Sequence, residues 1–200
     1  MVTRGVYCLK DAEFLIDFTR PEGTLHHLQV CQQLDVKCVI GTTGFSETEK
    51  KLIEQYAAST AIVMAPNMGV GVNVMLKLLS MAAKALSTGY DIEVIEAHHR
   101  HKIDAPSGTA ITLAEGVIKH TDYANWTLET PISNEIHIEA KRIENVPGTH
   151  SIFYDSEVDQ IEIKHTAHSR EGFALGAVVA AEWLVGKKGV FTMKDVLGLR

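Results

Sequence analysis

Only three cysteines, Cys8, Cys31 and Cys38, occur in the 200 residues, too few and too irregularly spaced for a disulfide framework or a zinc knuckle. They read as free thiols in a reducing cytoplasm. Aromatic residues are scarce at 6%, no apolar run approaches the roughly 20 residues needed to cross a bilayer, and no charged, apolar leader opens the chain. A membrane partner is therefore not expected. Lys and Arg number 19 against 25 Asp and Glu, for a net charge of -6, which argues against a nucleic-acid partner. Internal repeats and low-complexity tracts are absent. So is any Gly-x-Gly-x-x-Gly near the start, the turn that cradles the pyrophosphate in a dinucleotide fold.

What is present begins with an alternation of apolar runs and helical stretches. Glu13 to Phe18 is a short strand-like run, and Pro21 suits the first turn of a helix to about Leu34. A second run covers Lys37 to Gly41. Ser46 and Glu49 form a capping-box pattern for a helix to about Ala58, and Thr60 to Ala65 is a third apolar run. Strand, helix, strand, helix, strand predicts a parallel sheet, whose ligands bind beyond the carboxyl ends of the strands. Gly41-Thr42-Thr43-Gly44 and Ala65-Pro66-Asn67 lie at two such ends. Either segment alone reads as an ordinary loop.

The later chain has a different period. A helix after Gly71 runs to about Ser87 with Val74, Leu78, Met81 and Leu86 on one spacing. Tyr90 to Glu96 alternates Ile92, Val94 and Glu96 against Asp91, Glu93 and Ile95. Asn134 to Ile143 and Asp159 to His165 alternate likewise, with a turn at Val146-Pro147-Gly148. These are half-buried, mostly antiparallel strands. A helix follows from Phe173 to Val185, and a last one from Thr192 to Leu199. The fold class is α/β: a partial Rossmann-type parallel domain, residues 1–68 and 171–200, joined to an α+β substrate and oligomerisation domain, residues 69–170.

Between two of these elements stands a run of basic and titratable residues, His98-His99-Arg100-His101-Lys102, followed by Asp104-Ala105-Pro106-Ser107-Gly108-Thr109. A helix reads from Thr109 to about His120, capped by Ser107 or Thr109. Its unpaired N–H groups and dipole, with the basic run, make an anion site from two directions. A carboxylate fits it. His98 or His99 could carry a proton near neutral pH, while Lys102 would hold a carboxylate or act as an acid. In an extended strand His98, Arg100 and Lys102 would share one face. Taken alone, the run is a solvated basic edge. Three histidines crowded into four residues lack ligand spacing, and no Cys or carboxylate pair completes a set, so no metal is expected.

Glu96 to Ala110 resembles the signature of the dihydrodipicolinate reductase (4-hydroxy-tetrahydrodipicolinate reductase) family. The likeness extends through Asp17 to Gly23, Ile40 to Phe45, Ala65 to Lys77, Val146 to His150 and His165 to Arg170. It implies reduction of 4-hydroxy-tetrahydrodipicolinate by NADPH or NADH, within lysine and diaminopimelate biosynthesis, by a homotetramer. It further implies His98 as acid/base, Lys102 as proton donor, and His99, Gly108, Thr109 and Arg170 as holders of a small cyclic dicarboxylate. Gly41, Thr42, Thr43, Ala65, Pro66, Asn67 and Met68 would contact the cofactor; family members commonly carry an aromatic in place of Met68.

Two departures accompany the likeness. The family's first strand and glycine-rich turn have no counterpart, and the run Val2 to Leu9 does not replace them; the expectation is that this segment lies upstream of Met1 or has been lost. Residues 121–133 are shorter than the family's usual loop. The alternative is accordingly a truncated, catalytically weak dicarboxylate-binding or scaffold protein of the same family.

Overall fold

The computed structural model describes residues 9–199. Cys8 and the Val2 to Leu9 run, apart from Leu9, lie outside them. The chain forms two compact units, one of residues 1–70 and 173–200, the other of residues 71–172.

In the first unit, β1 (Phe14–Asp17), β2 (Lys37–Ile40), β3 (Ala61–Met64) and β9 (Gly189–Phe191) form a parallel sheet in the order β1-β2-β3-β9. Helices α1 (Pro21–Leu34) and α2 (Glu47–Ala57) connect the first three strands. Pro21 opens α1, and Asp35 ends it in the left-handed region at φ 55. At α2 both halves of the capping box form, Glu49 N–H to Ser46 Oγ and Ser46 N–H to the Glu49 carboxylate. Val39, Ile40, Ile62 and Val63 are fully buried, as a strand covered on both faces requires. Cys31 and Cys38 are free and buried in this core. Strand β9 has no signal in the sequence, since three residues with one glycine carry no readable period. The final helix, α6 (Met193–Val196), is shorter than its spacing predicts.

In the second unit, β5 (Asn125–Thr127), β6 (Glu135–Arg142), β4 (Asp91–His98), β7 (Gly148–Asp155) and β8 (Gln160–Ala167) form one sheet in that order. The sheet is mixed: β4–β7 and β7–β8 are antiparallel, while β4–β6 and β5–β6 are parallel. The segment 121–133 is not all loop, because β5 within it adds an edge strand. Helices α3 (Val70–Ala85) and α4 (Gly108–Ile118) contribute to the core beside Val94, Ile136, Ile138 and Ile152. At roughly 1.5–3 kcal/mol per fully buried aliphatic side chain, this layer holds β4 in place.

Helix α3 corrects the sequence reading of its face. Val72, Met75, Leu79 and Ala83 are buried, whereas Val74, Leu78 and Met81 are exposed, Met81 to 60%. The helix is apolar around most of its circumference, so two stripes at helical spacing compete and periodicity alone selects neither. Leu86, just beyond the helix, does pack against the core.

Candidate active site

Strand β4 aims alternate side chains at the core, in the series Ile92, Val94, Glu96, His98. A buried carboxylate and a buried imidazole thus continue an apolar stripe, and both need polar partners. The neighbouring strands supply them. The register sets His150 of β7 opposite Glu96 and Arg142 of β6 opposite His98. Arg142 reaches Glu96 Oε1 at 3.1 Å and the Asp104 carbonyl at 2.7 Å. His98 Nδ1 lies 3.1 Å from Glu96 Oε2, and His150 Nε2 lies 3.8 Å from the same oxygen. The 3.1 Å approach is close but poorly angled, so neither Glu96 Oε2 nor His98 Nδ1 completes a hydrogen bond. The two rings meet edge to face, with centroids 5.1 Å apart.

These contacts fix charge states. Burial pushes the Glu96 carboxyl up, but the approach of His98, Ser107 and Arg142 outweighs it and holds the pKa at about 2. Burial, followed by repulsion from His98, pulls His150 down to about 4. At neutral pH the centre is therefore an ionised carboxylate beside a neutral His150. Ser107 Oγ meets His150 Nε2 at 3.0 Å and accepts from Ala110 N–H at 3.2 Å. Ser107 rather than Thr109 is the cap of α4, and one hydroxyl thereby ties the helix start to the cluster.

The strand alternation expected for His98, Arg100 and Lys102 stops at His98. A turn follows, closed by Lys102 N–H to the His99 carbonyl at 3.1 Å, and it frees Lys102 from the face rule. The Lys102 ammonium pairs with Asp104 at 2.7 and 2.8 Å. His99 is half-buried and its ring lies near that of His101, with centroids 6.4 Å apart. Gly108 opens α4, and a Cβ there would meet nothing within 4 Å; Thr109 follows it in the first turn. Arg170 is exposed between β8 and α5 (Glu171–Trp183), and the structure gives it no contact with the Glu96 cluster.

Glu96, His150, Arg142 and Ser107 are the members that sequence reasoning passed over as functional residues. Glu96 had a signal, since an acidic residue at a core position of an alternating strand demands a partner. His150 had only its place at the end of the Val146 to His150 likeness, and Arg142 had none, because register is not written in one strand. The missing carboxylate of the metal argument is likewise supplied by the fold: Glu96, His98 and His150 present ligand atoms within 4.8 Å of one another. Arg142 already occupies that carboxylate, however, and Ser107 already meets His150 Nε2. A divalent ion would face a fixed cation and break a hydrogen bond, so this donor set suits a proton better.

In the first unit the two loops lie at carboxyl ends of β2 and β3 as expected. Gly41 allows the Phe18 ring to lie against the backbone, since a Cβ there would come within 2.0 Å of it. Thr42 is buried and accepts from Thr24 Oγ1 at 2.9 Å, Thr43 is exposed, and Gly44 takes φ +87 with open space around it. Ala65 is buried and Pro66 exposed, while Asn67 Oδ1 accepts from Gly69 N–H at 2.8 Å. Met68 is 1% exposed and belongs to the core with Ala177 and Leu184. Its side chain thus faces inward, and only its backbone is left for a ligand. Small residues, an open left-handed glycine at Gly44 and the exposed Thr43 and Pro66 fit a nucleotide's close approach.

Comparison with known proteins matches residues 3–68 to the profile described as dihydrodipicolinate reductase, N-terminus, and residues 71–197 to dihydrodipicolinate reductase, C-terminus. A 4-hydroxy-tetrahydrodipicolinate reductase of Janthinobacterium sp. (strain Marseille) is 48% identical over 202 residues, covering 96% of this chain and 75% of that protein. One from Nitrosomonas eutropha is 48% identical over 203 residues with the same coverage. Among solved structures, dipicolinate-bound dihydrodipicolinate reductase from Paenisporosarcina sp. TG-14 superposes with a TM-score of 0.80 at 24% identity, over 96% of this chain and 77% of that one.

Proposed function

The chain belongs to the dihydrodipicolinate reductase family, and from that premise we propose that it reduces 4-hydroxy-tetrahydrodipicolinate to tetrahydrodipicolinate in diaminopimelate and lysine biosynthesis, with NADH or NADPH as donor. The nucleotide, when bound, supplies a hydride. Loss of the 4-hydroxyl as water consumes a proton, and proton delivery falls to the chain. His98 serves as the acid/base and Lys102 as a second proton donor. The first turn of α4 at Gly108 and Thr109, with His99 and Arg170, holds the carboxylates of the cyclic substrate. The observation that carries this reading is an imidazole set against an ionised, buried Glu96 beside a capped helix start. Separate cationic and amide donors suit two carboxylates.

Gly41, Thr42, Thr43, Ala65, Pro66 and Asn67, with the backbone of Met68, would hold the nucleotide. On this reading residues 1–68 and 171–200 serve the cofactor, and residues 69–170 serve substrate and assembly. The protein works in the cytoplasm as a homotetramer. Support for assembly comes from β8, an eight-residue edge strand with most of its side chains exposed, a surface that proteins seldom leave unpaired. Consumption of reduced nicotinamide with 4-hydroxy-tetrahydrodipicolinate as substrate is the test. Turnover is expected with at least one of NADH and NADPH; none with either would sink the proposal.

A further inference from the structure

We propose that Glu96 is a positioning residue that fixes the tautomer of His98, keeping the ring proton on Nδ1 so that Nε2 is the nitrogen presented for proton exchange. The inference rests on the acid/base reading of His98 and deepens it. Three observations converge on it. First, Glu96 is completely buried and nonetheless ionised, anchored through Oε1 by Arg142 at 3.1 Å. Holding a buried charge is costly unless its other oxygen also has a task. Secondly, that other oxygen, Oε2, is 3.1 Å from His98 Nδ1, and both atoms lack a completed hydrogen bond. A small rotation of the ring would align them, and such bonds are often loose before substrate arrives. Thirdly, the opposite nitrogen is kept clear. A Cβ on Gly148 would stand 3.2 Å from His98 Nε2, so glycine at that position leaves the Nε2 edge unobstructed.

His150 competes for the same carboxylate oxygen but from 3.8 Å, and its Nε2 is engaged by Ser107 at 3.0 Å. Ser107 thus holds the second imidazole in place, and of the two rings His98 is the nearer to the Glu96 oxygen. A carboxylate on Nδ1 does two things for an acid/base histidine: it fixes which nitrogen carries the exchangeable proton, and it favours the imidazolium that must form during proton transfer. The charged or titratable groups acting on this cluster are Glu96 on β4, Arg142 on β6, His150 on β7, His165 on β8, and Lys102 with its partner Asp104 after β4. Asp104 is taken up by Lys102, and Glu96 is the carboxylate that meets the His98 ring.

Two readouts test the inference. Nitrogen NMR of the His98 ring in the full-length wild-type protein at neutral pH, assigned with His98→Asn, is expected to show the proton on Nδ1. A ring protonated on Nε2 alone would overturn the proposal with no further variant needed. In E96Q the carboxamide keeps the shape and removes the charge. That variant is expected to lose kcat by about 10²-fold or more, within the range that acid–base transfer and tautomer control contribute, with KM nearly unchanged. Its kcat/KM profile against pH should differ in shape from that of the wild type. An E96Q enzyme with wild-type kcat and an unmoved profile would overturn the positioning role. If E96Q does not fold, Glu96→Asp provides the comparison: it is expected to retain the Nδ1 tautomer and part of the activity, and an Nε2 proton in it would count against Glu96 as its determinant. Undiminished turnover in His98→Ala is a different failure, since it would remove the acid/base reading while the NMR result stood by itself.

Discussion

Lys102 holds its ammonium against Asp104, whose carboxylate is largely exposed in the turn before α4. On the proposed reading, a dicarboxylate arriving at the helix start would replace or share that partner, and Lys102 would contribute to substrate binding as well as to proton supply. Removing a charged hydrogen-bond partner costs about 1.5–3 kcal/mol, or roughly 10- to 100-fold. Lys102→Ala is accordingly expected to raise KM for the substrate and lower kcat together in steady-state assays; a change in neither would reduce Lys102 to a surface charge. At this scale the sequence was most legible where chemistry is local. The His98 to Lys102 run and the cap at Ser107 are contiguous, and both lie together in the fold. Glu96 was half legible, as an acid at a core position of β4. His150 was illegible because only the β4–β7 register places it opposite Glu96.

Helix α5 meets the loop after β3 at one point of very close approach. A Cβ on Gly176 would come within 1.8 Å of the Met68 carbonyl oxygen, and backbone atoms cannot swing aside as a side-chain tip can. Gly176→Ala should therefore destabilise the protein by at least about 1–3 kcal/mol, the usual cost of overpacking, as read by denaturant unfolding. If it folds, the displaced Asn67–Met68 segment should weaken nucleotide binding more than dicarboxylate binding in calorimetric titration; equal or absent effects on both would detach this loop from the cofactor. Helix α4 makes the complementary case. Ser107→Ala removes a cap worth about 0.5–2 kcal/mol and also the partner of His150, so a loss above that range is expected. Element types and most boundaries could be read from caps and periods, as at α1, α2 and α4. The failures were α3, where two apolar stripes compete, β5 and β9, which are too short to have a period, and β7, to which the sequence reading assigned no strand.

At the scale of the whole molecule, stability should record the buried titratable groups around Glu96. Folded His150 stays neutral down to about pH 4, whereas in the unfolded chain it takes up a proton near 6.5. Acid therefore favours the unfolded state between those values, and His165, also lowered by burial, acts in the same direction. Glu96 adds a second loss between 4.5, its unfolded value, and about 2, where the folded carboxylate finally protonates. Melting temperatures are thus expected to start falling below about pH 6.5, before carboxylates titrate, and His150→Gln should flatten that first decline; a flat wild-type curve from 6.5 to 5 would contradict the assignment. The switch from buried parallel runs to alternating strands was visible in the sequence, but the mixed direction of the second sheet was not, since parallel and antiparallel strands share the same alternation. The central claim is that His98 moves a proton in a nicotinamide-dependent reduction of a cyclic dicarboxylate. Its most direct test is kcat for reduced-nicotinamide consumption with 4-hydroxy-tetrahydrodipicolinate, wild type against His98→Ala. A drop of about 10²- to 10⁴-fold with the fold intact is expected, and turnover within a few-fold of wild type would contradict the account.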